Sequence, residues 1–240
     1  MKIQVLGADT VSGAIAVSAD GQAWLQINAA QRHASPLRAV LLTDARLDHV
    51  AGLLSLREGP PLELYCTPRV FEELTGDLAL LPVLDHYCGV HWHLLPISGD
   101  LAGEHASADF RIPGCPGLRL RAVALPGLPP PHSPRRNDPA AGDAIALLIE
   151  DESSGERLFH APALQEAGPV EREWMARAQC VLVGGLPEPL SELGTLSAAR
   201  KVLTQLPHDH PLLDEAGAAR RQLAAHGIEV AHDGMEIELP

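Results

Sequence analysis

Residues 37–59 read LRAVLLTDARLDHVAGLLSLREG, and this stretch changes character twice. It opens with a continuous apolar run over 37–44, which has the length of a strand buried on both faces. From residue 49 the apolar residues follow helical spacing until Gly59 and the two prolines after it end the pattern. A buried strand followed at once by a helix is typical of an α/β protein.

Four polar side chains lie between that strand and that helix, namely Asp44, Arg46, Asp48 and His49. Polar residues just past the carboxyl end of a buried strand are the usual place of a site in an α/β protein. The carboxylate of Asp48 and the imidazole of His49 are both able to bind a divalent metal. In a purely structural interpretation, Asp48 caps the helix starting at His49 and Asp44 forms an Asx-turn. The spacing leaves ligation and capping open.

Strand and helix signals continue on both sides of this stretch. Strands are predicted at 2–6, 62–66, 90–97, 118–125, 143–151, 157–162, 180–185 and 201–206, a hairpin at 13–28 turning at Asp20-Gly21, helices at 67–76, 169–178 and 211–227, and a last pair of short strands at 228–239. Many strands with few helices predict an α/β sandwich, in which two sheets pack face to face with helices outside. We expect one domain over 1–240.

The amino-acid composition argues against some classes of function. The chain has 240 residues, a net charge of −13, twelve His and only 3% aromatic residues. An acidic protein with few aromatic residues is a poor partner for nucleic acid or an anionic membrane. No apolar run reaches the ~18 residues of a membrane span. The opening sequence has no signal-peptide pattern and the four Cys form no CxxC pair, so we expect a cytoplasmic protein with reduced thiols.

Two other segments carry candidate binding residues. The proline-rich segment 125–143 is predicted to be a long loop, and it contains Arg135 and Arg136. These arginines could bind a carboxylate bidentately, or they could be a solvated pair. His160 lies near the carboxyl end of the predicted strand 157–162, where it is either a pocket residue or a histidine with satisfied hydrogen bonds. Asp44 and Arg46 are further candidates for substrate binding. No GxSxG, GxGxxG or phosphate-loop motif is present.

The segment around His49 resembles the HxHxDH signature of the metallo-β-lactamase fold, here written Asp44-x-Arg46-x-Asp48-His49. Departure at the first two His is typical of one branch, the coenzyme PQQ synthesis protein B family. The resemblance extends over most of the chain, through IAVSADGQAWLQINA (15–29), DHVAGLLSLREG (48–59), LYCTPRVFEEL (64–74), HYCGVHWH (86–93), PPHSPRRNDPAAGDAIALLIED (130–151), LFHAPAL (158–164) and GIEVAHDGMEIEL (227–239). It implies the αββα sandwich of the metallo-β-lactamase type.

The resemblance also implies a role in pyrroloquinoline quinone (PQQ) biosynthesis. The family is regarded as a non-haem iron oxygenase that hydroxylates the tyrosine of a precursor peptide, and older annotation proposed transport of the quinone. Asp48 and His49 match two iron ligands, and the third position corresponds to Gln205, so that ligand is missing. His208 or His210 could replace it. If the protein is active, Asp48 and His49 are its catalytic residues.

Other departures weaken the metal site. The family's cysteine-rich segment that binds a structural zinc is absent after Gly7, so we do not expect structural zinc. Gly184 stands where the family has an Asp, and residues 185–200 contain no His. The alternative to an iron enzyme is therefore a metal-free relative that binds a precursor peptide, the quinone or another protein of the pathway. The sequence does not predict an oligomeric state.

Overall fold

The computed structural model describes residues 1–7, 13–31, 34–98, 109–184, 190–207 and 209–239. These residues form two seven-stranded sheets. The strands are β1 Lys2–Val5, β2 Ile15–Ser18, β3 Trp24–Ile27, β4 Leu37–Leu41, β5 Leu62–Cys66, β6 Val90–Leu94, β7 Ile97–Ser98, β8 Leu118–Ala124, β9 Ile145–Asp151, β10 Arg157–Ala161, β11 Cys180–Gly184, β12 Arg200–Thr204, β13 Glu229–Val230 and β14 Glu236–Glu238. The helices are α1 Leu47–Val50, α2 Pro68–Thr75, α3 Leu80–Leu84, α4 Pro169–Arg177, α5 Leu190–Thr195 and α6 Ala218–Ala225, with 3₁₀ turns at Ala51–Leu56 and Pro211–Leu213.

The strand order explains why the site lies where it does. The first sheet runs β14-β1-β2-β3-β4-β5-β6 and the second runs β13-β12-β11-β10-β9-β8-β7. Strands β3 to β6 are mutually parallel, and so are β10 to β13. Each sheet therefore has a block of parallel strands whose carboxyl ends share one edge, and ligands of α/β proteins bind at such edges.

Three apolar layers hold the sandwich together. The central layer joins inward-facing side chains of both sheets, among them Ile15, Leu41, Leu147 and Leu182. The outer face of the first sheet is covered by residues of α1 to α3, and the outer face of the second by residues of α4 to α6. This arrangement confirms the predicted αββα sandwich. The shared central layer supports the expectation of one domain over 1–240, which stays a prediction.

The chain crosses between the sheets at both edges of the sandwich. The predicted strand 90–97 is wrong as a single element, because β6 belongs to the first sheet and β7 to the second. The break falls at Pro96, which has no N–H for a strand ladder. At the opposite edge, β13 pairs with β12 whereas β14 pairs with β1, so the last pair of strands is not a hairpin.

Two predicted helices are interrupted. The helix expected over 49–59 is one turn of α-helix and then a 3₁₀ turn, and the carbonyl of His49 accepts a hydrogen bond from the N–H of Ala29 at 2.7 Å. The helix expected over 211–227 is broken by a turn at 214–217, and Gly217 precedes α6. Helices α3 and α5 were not predicted, since both are short.

Several local predictions are confirmed. Strands β2 and β3 form the expected hairpin, and Gly21 has a φ of 77° in its turn. Thr67 caps α2 by accepting a hydrogen bond from the N–H of Val70, and Pro68 is the first helical residue. All four cysteines are buried and unpaired. Within the described segments, no helix has the length and apolarity needed to cross a membrane.

Candidate functional site

A cavity of about 420 Å³ opens where the carboxyl ends of the parallel strands from both sheets meet. Its walls come from the loop after β4, from the proline-rich loop, from the turn after β10 and from the ends of β11 and β12. The lining residues are Asp44, Arg46, Gly127, Leu128, Pro130, Asp143, Ala144, Pro162, Ala163, Leu164, Gln165, Gly184 and Gln205. A volume of this size is in the range of small-molecule sites.

His49 and Asp44 form a buried pair at one wall of this cavity. His49 Nδ1 lies 2.7 Å from Asp44 Oδ1, and that oxygen also accepts a hydrogen bond from the N–H of Arg46 at 2.9 Å. The second bond is the predicted Asx-turn. Burial raises the pKa of Asp44, but attraction to His49 and the hydrogen bonds outweigh it, and the pKa of Asp44 lies below its ordinary value. A carboxylate that accepts from Nδ1 fixes the tautomer and the ring orientation of His49.

The backbone around this pair is held from the first sheet. Asn28, which follows β3 with a φ of 58°, accepts hydrogen bonds at Oδ1 from both the N–H and the hydroxyl of Thr43, each at 3.0 Å. The hydroxyl of Thr43 also lies 3.3 Å from Asp44 Oδ2. Asn28 and Thr43 therefore orient the loop that carries Asp44. Sequence reasoning missed both residues, and only the position of Thr43 beside Asp44 hinted at its role.

Gln205 reaches His49 from the second sheet. It follows β12 in the left-handed region, with a φ of 59°, and its Nε2 is in hydrogen-bond contact with Nε2 of His49. In the neutral tautomer whose Nδ1–H donates a hydrogen bond to Asp44, Nε2 of His49 is the acceptor and the amide N–H of Gln205 is the donor. This proton assignment follows from the hydrogen-bond network. Both ring nitrogens of the buried His49 are thus used in hydrogen bonds to other side chains of the same chain.

Two glycines make the space that Gln205 fills. A Cβ added to Gly13 would lie 2.7 Å from Cδ of Gln205, and one added to Gly184 would overlap Oε1 of Gln205 and the carbonyl oxygen of Pro162. The Gly184 position, where the related family has an Asp, therefore has no room for a carboxylate while Gln205 is in place. The role of Gly13 was not predicted, because a glycine before a hairpin is ordinary in sequence.

His160 is the second buried imidazole at this place. It lies on β10 and has no well-formed hydrogen bond at either ring nitrogen among the described residues, although the ring interacts with the backbone of Leu182 on β11. Burial lowers its pKa, the neighbouring His49 lowers it further, the backbone of Leu182 offsets part of this, and the pKa falls to about 3. His160 is therefore neutral at physiological pH. His160 lies beside His49 but is not among the residues that line the cavity, and both interpretations of the sequence, a pocket residue and a histidine with satisfied hydrogen bonds, stay predictions.

The remaining candidate ligands lie elsewhere. Asp48 is exposed in the first turn of α1, and Arg46 rather than Asp48 is at the N-cap, so the capping interpretation of Asp48 is wrong. His210 Nδ1 accepts a hydrogen bond from the N–H of Leu212 at 3.2 Å and caps the 3₁₀ turn that follows. His208 lies outside the described residues.

The proline-rich loop is tied to α2 and does not present its arginines as a pair. The guanidinium of Arg135 contacts the carboxylates of Glu72 and Glu73, so its charge is already neutralised. Arg136 is exposed. Near the other end of the loop, Asp143 pairs with the guanidinium of Arg69 at 2.8 Å. The loop is thereby held as a wall of the cavity.

The side chains present do not fit a metal ion. His49 Nε2 is taken by Gln205, Asp48 is exposed, and His210 is used as a cap. Across the described ranges, no three His, Cys, Asp or Glu side chains are placed to hold a metal. Within the part of the chain that the structure describes, His160 adds one neutral buried imidazole, and one imidazole is too few for the three or four protein ligands of a zinc site.

Comparison with known proteins agrees with this fold. The family model for the beta-lactamase superfamily domain matches residues 9–227. The coenzyme PQQ synthesis protein B of Pseudomonas aeruginosa is 40% identical over 94% of this chain and 86% of its own length. The protein of the same name from Methylococcus capsulatus is 36% identical with the same coverage.

Solved structures give the same answer for the fold. Zn²⁺-bound PqqB from Methylobacterium extorquens superposes with a TM-score of 0.78, at 23% identity over the whole of both chains. A diphosphatase of the PhnP family gives 0.67 at 14% identity, covering 100% of this chain and 98% of its own.

The zinc-bound neighbour corrects the expectation about cofactors. The resemblance implied iron as the possible metal and no structural zinc was expected, whereas the metal in the solved PqqB is Zn²⁺. Iron is therefore the wrong expectation. The 40% identity over nearly the whole chain, together with the superfamily match, shows that this chain belongs to the coenzyme PQQ synthesis protein B family, within the beta-lactamase superfamily.

Proposed function

We propose that this chain serves PQQ biosynthesis in the cytoplasm as a binding protein, without a metal at His49. Its ligand is a precursor peptide, the quinone or another protein of the pathway. The observation that carries this proposal is the contact of the Gln205 amide with Nε2 of His49, the nitrogen that would otherwise face a metal. Membership of the family supports the pathway, since the relatives are named for PQQ synthesis.

The surroundings of Gln205 support the same proposal. An amide nitrogen has no lone pair to give to a metal, and it donates a hydrogen bond instead. Gly13 and Gly184 leave the space that the Gln205 side chain occupies. All three residues are therefore compatible with an amide, and not a metal, beside His49. Asp44 completes the arrangement, because it holds His49 in the tautomer that accepts from Gln205. The result is a rigid polar wall beside an open cavity, which suits binding.

Zinc stoichiometry tests this proposal. The protein is stripped with EDTA, incubated with a slight excess of Zn²⁺, desalted and analysed by mass spectrometry for metal content. We expect less than about 0.1 equivalent of zinc per chain, since a stable zinc site needs three or four protein ligands. His232→Ala, which removes an exposed histidine, is the control for loose binding to surface histidines.

One result would overturn the proposal. About one equivalent of zinc per chain, lost in His49→Ala and retained in His232→Ala, would show that His49 is a metal ligand after all. A comparison with Asp48→Ala then decides whether that exposed carboxylate takes part, as the resemblance to the family implied.

A further inference from the structure

The cavity beside His49 is lined by three charged side chains, and one of them, Arg46, differs from the other two in its side-chain contacts. Asp44 is bonded to His49, and Asp143 is paired with Arg69. The guanidinium of Arg46 forms no ion pair or hydrogen bond with any residue that the structure describes. Its charge acts on the Asp44 carboxylate, and its half-buried side chain lines a space that is only partly open to water.

Arg46 is also held at a fixed position. Its N–H donates to Asp44 Oδ1 at 2.9 Å, and the residue before it, Ala45, is buried. A guanidinium that starts from a fixed backbone loses less freedom when a ligand binds, and its planar fork matches the two oxygens of a carboxylate.

The lining exposes polar and apolar surface in about equal amounts. Its aliphatic side chains are Leu128, Pro130, Ala144, Pro162 and Leu164, and all but Leu128 are buried. Leu128 is 70% exposed at the mouth of the cavity, so it offers most of the apolar side-chain surface there. A ligand with an apolar or aromatic body would cover Leu128.

We propose that this cavity binds the carboxylate of an apolar or aromatic ligand, with Arg46 as the anchoring cation and the leucine and proline side chains as the contact for its body. A single guanidinium suits one negative charge. The nearby carboxylates of Asp44 and Asp143 would repel a phosphate dianion, so the structure favours a carboxylate over a phosphate. This inference rests on the proposed binding function and names its ligand class.

An NMR titration tests the proposal with paired probes in EDTA. The first pair is 2-naphthoate and its neutral amide, and the second is N-acetyl-phenylalanine and its neutral amide. We expect at least one acid to bind, and its amide to bind about 10-fold or more weakly. Arg46→Gln should weaken binding of the acid about 10- to 100-fold and leave binding of the amide unchanged, which also shows that the variant is folded. Arg136→Gln is the matched control, because it removes an exposed arginine of the proline-rich loop.

The two pairs of probes distinguish two kinds of ligand that could supply the carboxylate. Arg46-dependent binding of N-acetyl-phenylalanine supports a peptide carboxylate, and the same behaviour of 2-naphthoate alone supports a small aromatic acid. Equal binding of acid and amide, no binding of either acid, or an equal loss in Arg136→Gln would overturn the inference. These negative results, obtained with metal-free protein, would not contradict the proposed function. Binding that appears only after Zn²⁺ is added and that does not change in Arg46→Gln would contradict both this inference and the proposed function.

Discussion

The two buried imidazoles of the site, His49 and His160, lie side by side and yet have opposite surroundings. His49, on the side of the first sheet, uses both ring nitrogens in hydrogen bonds to Asp44 and Gln205. His160, on the second sheet, has no well-formed hydrogen bond at either nitrogen within the described residues and interacts with the backbone of Leu182. Burial alone therefore does not identify a functional histidine. Hydrogen-bond partners do, and they show that the part of the site with a fixed geometry, around Asp44 and His49, lies on the first sheet.

The largest effect should come from removing the carboxylate under His49. Asp44→Ala leaves the imidazole N–H of His49 and the N–H of Arg46 without their acceptor in a buried place. We expect the free energy of unfolding to fall by about 3 kcal/mol or more, measured by urea denaturation. Asp48→Ala removes an exposed carboxylate and should change stability by less than about 0.5 kcal/mol. Equal effects of the two variants would contradict the conclusion that the part of the site with a fixed geometry lies around Asp44 and His49.

A smaller effect is expected where Gln205 is seated. Gly184→Ala adds a methyl group that overlaps Pro162 and Gln205, so the backbone or the amide must move. We expect a loss of about 2 kcal/mol in the free energy of unfolding and a change in the His49 ring resonances by NMR. Gly127→Ala, in the same cavity, meets nothing within 4 Å and should be nearly neutral. Unchanged His49 resonances in Gly184→Ala would argue that Gln205 does not sit against the ring.

The smallest effect at neutral pH should be at His160. His160→Leu replaces a buried imidazole that has no well-formed hydrogen bond among the described residues with an apolar side chain of similar size, so stability should change by less than about 1 kcal/mol. A loss of several kcal/mol would mean that the nitrogens of His160 do have partners, and the contrast with His49 would disappear.

Acid separates the two histidines further. The pKa of His160 is lowered from 6.5 to about 3, so the unfolded chain binds a proton here that the folded chain does not. Stability is therefore fully present above pH 6.5 and decreases as the pH falls from 6.5 towards 3. His160→Leu should lose this part of the decrease, which urea midpoints measured along a pH series would show. Parallel curves for the variant and the parent would contradict a neutral His160 in the folded chain.

The sequence predicted the fold well because its signals are local and repeated. Apolar runs such as 37–41 and 180–184 form strands where expected, and Thr67 with Pro68 starts α2. The site was harder, because its geometry depends on contacts between residues far apart in the chain. Gln205 meets His49 across 156 residues, and the sequence showed only that a ligand was missing there. Arg135 shows the same limit, since its partners Glu72 and Glu73 lie on a helix more than 60 residues earlier.

The two crossings at the edges of the sandwich limit how the site can respond to a ligand. Two residues separate β6 from β7 at one edge, and residues 231–235 separate β13 from β14 at the other, so neither sheet can slide far over its partner. These two chain connections set the distance between the ends of β4 and β12. They therefore also set the contact between His49 and Gln205. Adjustment to ligands of different size must come from the proline-rich loop and Leu128, while the width of the cleft between the sheets stays constant.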